Sequence, residues 1–185
     1  MFARTEAETE YSRLFGRNLA NSPGVQNLGV EAIYAACDIA KEVGPVPGGG
    51  SAAALVAATG VALILMVANY SVGKTKSKNI ETRLRNIIKK GTALRRRLIA
   101  LVDLDAQTYM DVVRSRQAYG KAGKTALRKA VQVSREVCRL CYKAIELTPF
   151  LVEKGNKNLI SDIEVAAEMM LAAFNSAMSN VEANS

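Results

Sequence analysis

Residues 45–71 read PVPGGGSAAALVAATGVALILMVANYS, and this stretch decides the fold. It has no charged residue between Ala52 and Ala68, and the preceding Ser51 is a good N-cap, so we predict a helix over 52–68. A membrane span would need about 20 strongly apolar residues. Here Ala predominates and the hydrophobicity is modest. We therefore predict the apolar central helix of a helical bundle, with a membrane span as the alternative.

The rest of the chain also has helical periodicity, with no alternation typical of strands. Apolar residues at helical spacing predict further helices over 4–20, 28–43, 79–114, 125–146 and 163–180. The fold class is therefore all-α: an antiparallel bundle of five or six helices with a long apolar central helix. We predict one domain over 1–185, in which 1–26 form an N-terminal helical extension.

Charge and cysteine content narrow the environment and the partners. The formal net charge is +8, and ten Lys or Arg but only one acid, Glu81, lie between Lys74 and Arg97. Such a face can be solvated, or can attract an acidic small-molecule tail or a partner protein. No aromatic residues interleave with the basic run, so we expect no nucleic acid. Three cysteines and a charged N-terminus without an apolar core predict a cytoplasmic protein.

The residue types exclude several reaction classes. The chain has no histidine, which removes Ser-His-Asp and Cys-His nucleophilic schemes and His-based metal sites. Proton transfer must then use Asp, Glu, Lys, Tyr or Cys. Cys138 and Cys141 have CxxC spacing but lie in the middle of a predicted helix, so we interpret them as buried core thiols, with a redox pair as the alternative. We expect no metal site.

Three consecutive glycines, Gly48 to Gly50, precede the apolar helix. Glycines leave backbone N–H groups open at a helix N-terminus, where an anion or a carbonyl oxygen is favoured. The pattern is neither a P-loop nor a dinucleotide-binding fingerprint. On the residues alone, a binding loop and a helix-capping turn are equally good interpretations.

Four blocks in one order are more specific: PVPGGGSAAALVAATGVAL, MVANYSVGKTK, LRRRLIALVDLDAQTY and VCRLCYKAIELTPFLVEKGNKNLISDIEVAA. Together they cover about residues 43–180 and resemble the formiminotransferase-cyclodeaminase C-terminal family, in particular its stand-alone methenyltetrahydrofolate cyclohydrolases. The resemblance implies an all-helical enzyme that acts as a homodimer or higher homo-oligomer. It also implies no cofactor beyond tetrahydrofolate as the one-carbon carrier, no obligatory metal, and a folate substrate with or without a polyglutamate tail. From the composition of the apolar helix we expect no membrane partner.

The reaction that the resemblance implies is hydrolysis of 5,10-methenyl-tetrahydrofolate to a formyl-tetrahydrofolate. Alternatives are the cyclodeaminase, which closes 5-formimino-tetrahydrofolate and releases ammonia, and a non-catalytic folate-binding or oligomerising scaffold. Both reactions pass through a tetrahedral carbon between two nitrogens, so they need proton transfers and a carboxylate near the substrate cation.

The family motifs assign roles to nine residues. Asp105 and Asp162 are candidates for general base and cation stabiliser, and Lys74 for binding a carboxylate tail or donating a proton. The residues expected to bind the substrate are Gly48, Gly49, Gly50, Ser51, Asn156 and Ser161. Each acid also has a purely structural interpretation, since Asp162 could cap its helix and Asp105 could be a solvated helix residue.

Overall fold

The computed structural model describes residues 46–116 and 121–184, and in them every regular element is a helix. Several predictions concern residues outside these ranges. They are the helices over 4–20 and 28–43 and the N-terminal extension 1–26. Cys37 also lies outside the described residues. The described helices are α1 (Gly49–Ser71), α2 (Lys78–Arg116), α3 (Lys121–Ile145), α4 (Thr148–Lys154) and α5 (Ile160–Ala183), with a 3-10 helix at Lys157–Leu159.

The start of α1 differs from the prediction. The N-cap is Gly48, whose backbone is extended (φ −117°, ψ −165°), and Gly49 and Gly50 already belong to the first turn. The prediction that Ser51 is the N-cap is wrong: it lies inside the helix and its hydroxyl is directed at α2. The glycines are thus a helix turn rather than a loop, and α1 gains three residues at each end.

The four long helices form an antiparallel bundle. α1 packs against α2 and α5, and α3 packs against the same two helices, so α1 and α3 are diagonal. Near the start of α1, Ser51 contacts Asp105, and further along α1, Leu65 packs against Gly91. The contacts move forward along α1 and backward along α2, so the two helices are antiparallel. The bundle class predicted from the helical periodicity is confirmed.

The core lies between the inward faces of these helices. Its fully buried side chains include Ile64, Leu84, Leu98, Leu101 and Leu151. Cys138 and Cys141 are free and buried, as predicted for core thiols. Burial, with Cys138 as a neighbour, raises the pKa of Cys141 to about 12, so at neutral pH its thiolate is scarce and its reactivity low.

One face of α1 stays exposed although the helix carries no charge. Among the described residues α1 is the one helix long and apolar enough to cross a membrane, and 61% of its apolar window is buried in the bundle. This share is typical of a core helix. The exposed residues after the glycine turn form what we call the α1 stripe, composed of Ala52, Leu55, Thr59, Ala62, Asn69 and Tyr70.

Candidate active site

The glycine turn brings Ser51 and Asp105 together at one end of the bundle, which we call the glycine end. The Ser51 hydroxyl lies 3.0 Å from both the Val102 carbonyl oxygen and Asp105 Oδ2. The backbone N–H of Ser51 also donates to the Asp105 carboxylate. Asp105 therefore does, from α2, what an N-cap side chain does within a helix: it accepts from an N–H that has no partner inside α1.

Gly50 has a steric reason to be glycine. A Cβ atom there would lie 2.5 Å from Cγ and 2.7 Å from Oδ2 of Asp105, so any side chain would displace the carboxylate. Gly49 is different, since its nearest neighbours would be the Asn180 side-chain atoms at 3.8 Å. Gly48 would meet nothing within 4 Å. Only the third glycine is required by packing.

This contrast predicts different outcomes for two alanine substitutions. We expect Gly50→Ala to lower the free energy of unfolding by about 1–3 kcal/mol, because it overpacks the contact with Asp105 and breaks the hydrogen bonds from Ser51. Gly49→Ala is the matched control and should lose no stability, since its methyl group has room. Urea unfolding of both variants measures the difference. Equal midpoints would show that the Asp105 contact is looser than described.

The environment of Asp105 favours its protonated form. Its side chain is half-buried, and this burial raises the pKa of the carboxyl above the usual range. Hydrogen bonds from the Ser51 hydroxyl and backbone N–H lower the pKa and only partly offset the burial. A carboxylate with a raised pKa can take and return a proton nearer to neutral pH than an exposed one can.

At the opposite end of the bundle, the turn after α1 positions Lys74. Gly73 has φ 76°, a left-handed conformation that favours glycine, and its N–H donates to Glu81 Oε2 at 3.0 Å. Lys74 is exposed, with Nζ 5.9 Å from the centre of the Tyr70 ring. Its ammonium group is thus open to a solvent-borne anion.

The GNKNLISD motif, residues 155–162, lies beside this turn. Gly155 ends α4 where a Cβ would overlap the Leu151 carbonyl oxygen. The backbone N–H of Asn156 donates to Ser71 Oγ at 2.9 Å, and its side-chain oxygen accepts from the Asn158 N–H at 3.1 Å. Ser161 is exposed and Asp162 is half-buried in the first turn of α5. The N-cap of α5 is Leu159, so Asp162 does not cap its helix.

The candidate residues therefore form two groups that are far apart in one chain. Gly48 to Ser51 and Asp105 lie at the glycine end, while Lys74, Asn156, Ser161 and Asp162 lie at what we call the lysine end. Since α1 has 23 residues, it separates the two ends by about 34 Å. Asp105 and Asp162 do not meet within one chain.

Sequence reasoning missed one residue at the glycine end, Asn180. It lies near the end of α5 and beside Gly49, because α5 runs antiparallel to α1. No motif in the sequence links positions 49 and 180; only the helix pairing does. Within residues 46–116 and 121–184, no group of three or more Asp, Glu or Cys side chains is placed to hold a metal ion.

The fold and the site define an all-α protein in which a half-buried carboxylate is held at the N-terminus of a glycine-headed helix, a class suited to acid–base chemistry. A family model, formiminotransferase-cyclodeaminase, matches residues 33–185. The chain therefore belongs to the formiminotransferase-cyclodeaminase family, and the prediction made from the four sequence blocks is confirmed.

Individual relatives are named for two reactions. A methenyltetrahydrofolate cyclohydrolase of Methylorubrum extorquens is 36% identical over 169 residues, which cover 84% of this chain and 80% of the relative. The formimidoyltransferase-cyclodeaminase of Gallus gallus is 33% identical over 151 residues, but the match covers only 27% of that longer protein. The crystal structure of formiminotetrahydrofolate cyclodeaminase from Thermotoga maritima superposes with a TM-score of 0.77, at 31% identity, over 80% of this chain and 75% of that one.

These relatives are enzymes, and their names are those of the leading and the alternative reaction that the sequence implied. The predictions of the enzyme class and of this pair of reactions are confirmed at that level. The roles of the nine residues, the oligomer and the extension 1–26 stay predictions.

Proposed function

We propose that this protein hydrolyses 5,10-methenyl-tetrahydrofolate to a formyl-tetrahydrofolate. The observation that carries the proposal is the Asp105 carboxylate, which has a raised pKa and is fixed by Ser51 at the N-terminus of α1. The 36% identity to a methenyltetrahydrofolate cyclohydrolase over most of both chains favours this reaction. The substrate is an amidinium cation, so a carboxylate beside its carbon lowers the energy of binding as well as that of reaction.

In this mechanism Asp105 is the general base. It takes a proton from a water molecule as the water oxygen bonds to the carbon between the two folate nitrogens. The resulting tetrahedral carbon then loses one of its two C–N bonds. The departing nitrogen takes up a proton, which Asp105, now protonated, can supply. The hydroxyl on the carbon releases its own proton to solvent as the C=O bond of the formyl group forms. The hydrogen bond from Ser51 holds the carboxylate in place through both transfers.

The first turn of α1 stabilises the negative charge that develops on the oxygen bonded to the reacting carbon. N–H groups in the first turn of a helix have no partner inside it, and the positive end of the helix dipole favours negative charge. At Gly49 and Gly50 no side chain shields these N–H groups from a ligand. We assign Gly48, Gly49 and Gly50 to substrate binding on this ground. Ser51, whose N–H and hydroxyl already donate to Asp105, belongs to the substrate-binding site through the carboxylate that it positions.

The lysine end takes part through a second copy of the chain. The α1 stripe is uncharged and runs the length of the helix, from Ala52 at the glycine end to Tyr70 at the lysine end. Two copies that pair along this stripe around a two-fold axis have antiparallel α1 helices. The glycine end of each copy then lies beside the lysine end of the other, and the homodimer has two complete sites.

Within such a site the remaining roles follow from charge and reach. Asp162 of the second copy stabilises the amidinium cation, while Asn156 and Ser161 donate hydrogen bonds that position the folate. Lys74, which is exposed, binds a carboxylate of the glutamate tail. No cofactor other than the folate itself is needed, because no electron transfer occurs, and we place the protein in the cytoplasm.

The cyclodeaminase reaction is the second candidate, favoured by the superposition on the Thermotoga maritima enzyme. There the nucleophile is a folate nitrogen instead of water, and ammonia leaves. The same base and cation stabiliser serve both reactions, so only the substrate offered distinguishes them.

The test is the loss of methenyl-tetrahydrofolate absorbance in the presence of purified protein, corrected for spontaneous hydrolysis. We expect a clear acceleration that is proportional to protein concentration. If folate binds without acceleration, ammonia release from 5-formimino-tetrahydrofolate is measured next. Activity there would replace the cyclohydrolase by the cyclodeaminase, and binding without either activity would leave the scaffold.

A further inference from the structure

A groove of about 400 Å³ opens between the first turns of α1 and the last turns of α5, directly beside Gly49. We call it the α1/α5 groove. Its size falls within the range of about 300–1,000 Å³ that is usual for small-molecule sites. Its walls carry no charged residue; the lining residues are Gly49, Ala52, Ala53, Val56, Ala172, Ala173, Ser176, Ser179 and Asn180.

The residues that line the groove are smaller than those at the close approach of α1 and α5 near the middle of α1. There, Gly60 packs under Met169 and Met170, and a Cβ at position 60 would lie 3.3 Å from the Ala166 carbonyl oxygen. Towards the glycine end the facing residues are mostly Ala and Ser, which are too small to fill the space. What remains is an uncharged space between two helices, with a volume large enough for a pterin-sized ring.

Gly49 is a second sign that a ligand occupies this place. Glycine in a helix lowers stability relative to alanine. Packing does not require it, because its Cβ would have no neighbour closer than 3.8 Å, and among the described residues only Gly73 has a positive φ. The missing side chain leaves the mouth of the groove open.

Asn180 supplies the polar recognition in an otherwise apolar wall. Its carboxamide faces Gly49, is half-buried, and makes no hydrogen bond to any other residue that the structure describes. By contrast, the hydroxyls of Ser176 and Ser179 already donate to carbonyl oxygens of α5, at 2.8 and 3.1 Å. A carboxamide offers a donor and an acceptor side by side.

We infer that the α1/α5 groove holds the pterin ring of the folate and that Asn180 recognises the N–H and C=O groups of its pyrimidinone edge. This inference rests on the proposed function. At this edge an N–H donor lies next to a C=O acceptor. The ring N–H can donate to the carboxamide oxygen while the ring C=O accepts from the carboxamide NH2. The reacting carbon is bonded to a nitrogen of the same ring system, so the ring must lie within a few ångström of the base. Gly49 lines the groove and the adjacent Gly50 lies against Asp105, so the mouth of the groove is one residue away from the contact with the base.

The test uses two fragments of the substrate as separate probes: a tetrahydropterin without the side chain, and p-aminobenzoylglutamate. Titration calorimetry measures their binding to the wild-type protein, to Asn180→Leu, and to Asn175→Leu. Asn175 is exposed on the same helix outside the groove and is the matched control. We expect Asn180→Leu to weaken tetrahydropterin binding by about tenfold or more, because the polar edge of the pterin loses its hydrogen-bond partner. Binding of p-aminobenzoylglutamate should not change.

Filling the groove provides a variant that leaves the core and Asn180 untouched. Ser176 is exposed and lines the groove, so Ser176→Tyr should exclude the pterin ring, while Asn175→Tyr should bind it normally. If the wild-type protein binds the folate but both Asn180→Leu and Ser176→Tyr bind tetrahydropterin as the wild type does, the groove assignment is overturned and the cyclohydrolase stands. If the wild type neither binds a folate nor accelerates hydrolysis, the proposed function fails, and the groove assignment with it.

Discussion

Asp105→Asn should lower kcat/KM for methenyl-tetrahydrofolate hydrolysis by about 10²–10⁴-fold, the contribution usual for a positioned general base. Asparagine keeps the size of the side chain and an oxygen that can accept from Ser51, but it cannot take a proton. The loss should fall on the chemical step, so kcat should drop more than KM changes. Stopped-flow absorbance at saturating substrate measures kcat directly.

The matched control is Asp103→Asn. Asp103 lies on the same helix and is exposed, so its removal changes the local charge equally without touching Ser51. It should keep wild-type kinetics. Similar losses in the two variants would mean that the negative charge of α2 attracts the cation from a distance and that Asp105 is not the base.

The stability of Asp105→Asn separates catalysis from helix capping. The folded-state pKa of Asp105 is raised, so folding holds its proton more tightly than the unfolded chain does. Its contribution to stability is present below the unfolded pKa and is lost as the pH rises through the folded one. At neutral pH the charged form therefore destabilises the fold, and the variant should have a Tm no lower than the wild type. The difference should shrink as the pH falls towards the ordinary range of an aspartate.

The same pKa direction predicts the acid side of the activity profile. A general base must be ionised in the free enzyme, so kcat/KM should fall as the pH drops through the raised pKa of Asp105. The midpoint should lie above that of an ordinary aspartate.

The helices could be predicted from sequence because their signals are local. The uncharged run 52–68 and the apolar stripe of 79–114 lie within α1 and α2, and only the ends moved by a few residues. The start of α1 could not be predicted in the same way. Ser51 has the chemistry of an N-cap, yet Asp105 accepts from its backbone N–H, and that partner lies 54 positions away in the chain.

The site was harder to predict than the fold for a related reason. Motif order identifies which residues belong to a site but not where the helices carry them. The antiparallel bundle places Asp105 near one end of α1 and Asp162 near the other, although both sit in motifs of one family. Asn180 is the opposite case: it belongs to no motif, yet it lies beside Gly49 because α1 and α5 pack together.

The dimer proposal predicts that two inactive proteins restore each other. Asp105→Asn lacks the base and Asp162→Asn lacks the cation stabiliser, so each homodimer should be nearly inactive. In a mixed dimer, the intact Asp105 of one chain faces the intact Asp162 of the other at one of its two sites. Random exchange makes half of the dimers mixed, so an equal mixture should recover about a quarter of wild-type activity.

Native mass spectrometry of chains that differ in mass measures the exchange, and the methenyl assay measures the recovery. The control mixes Asp105→Asn with the double variant Asp105→Asn/Asp162→Asn, which can build no complete site and should stay inactive. An active Asp162→Asn homodimer would place Asp162 outside the mechanism and leave Asp105 to act within one chain. Two inactive homodimers that exchange chains without recovery would contradict the pairing of the glycine end of one copy with the lysine end of the other. Recovery would show that Asp105 of one chain and Asp162 of the other form one site, because no chain in the mixture carries both carboxylates. This result would support pairing of the two copies along the α1 stripe.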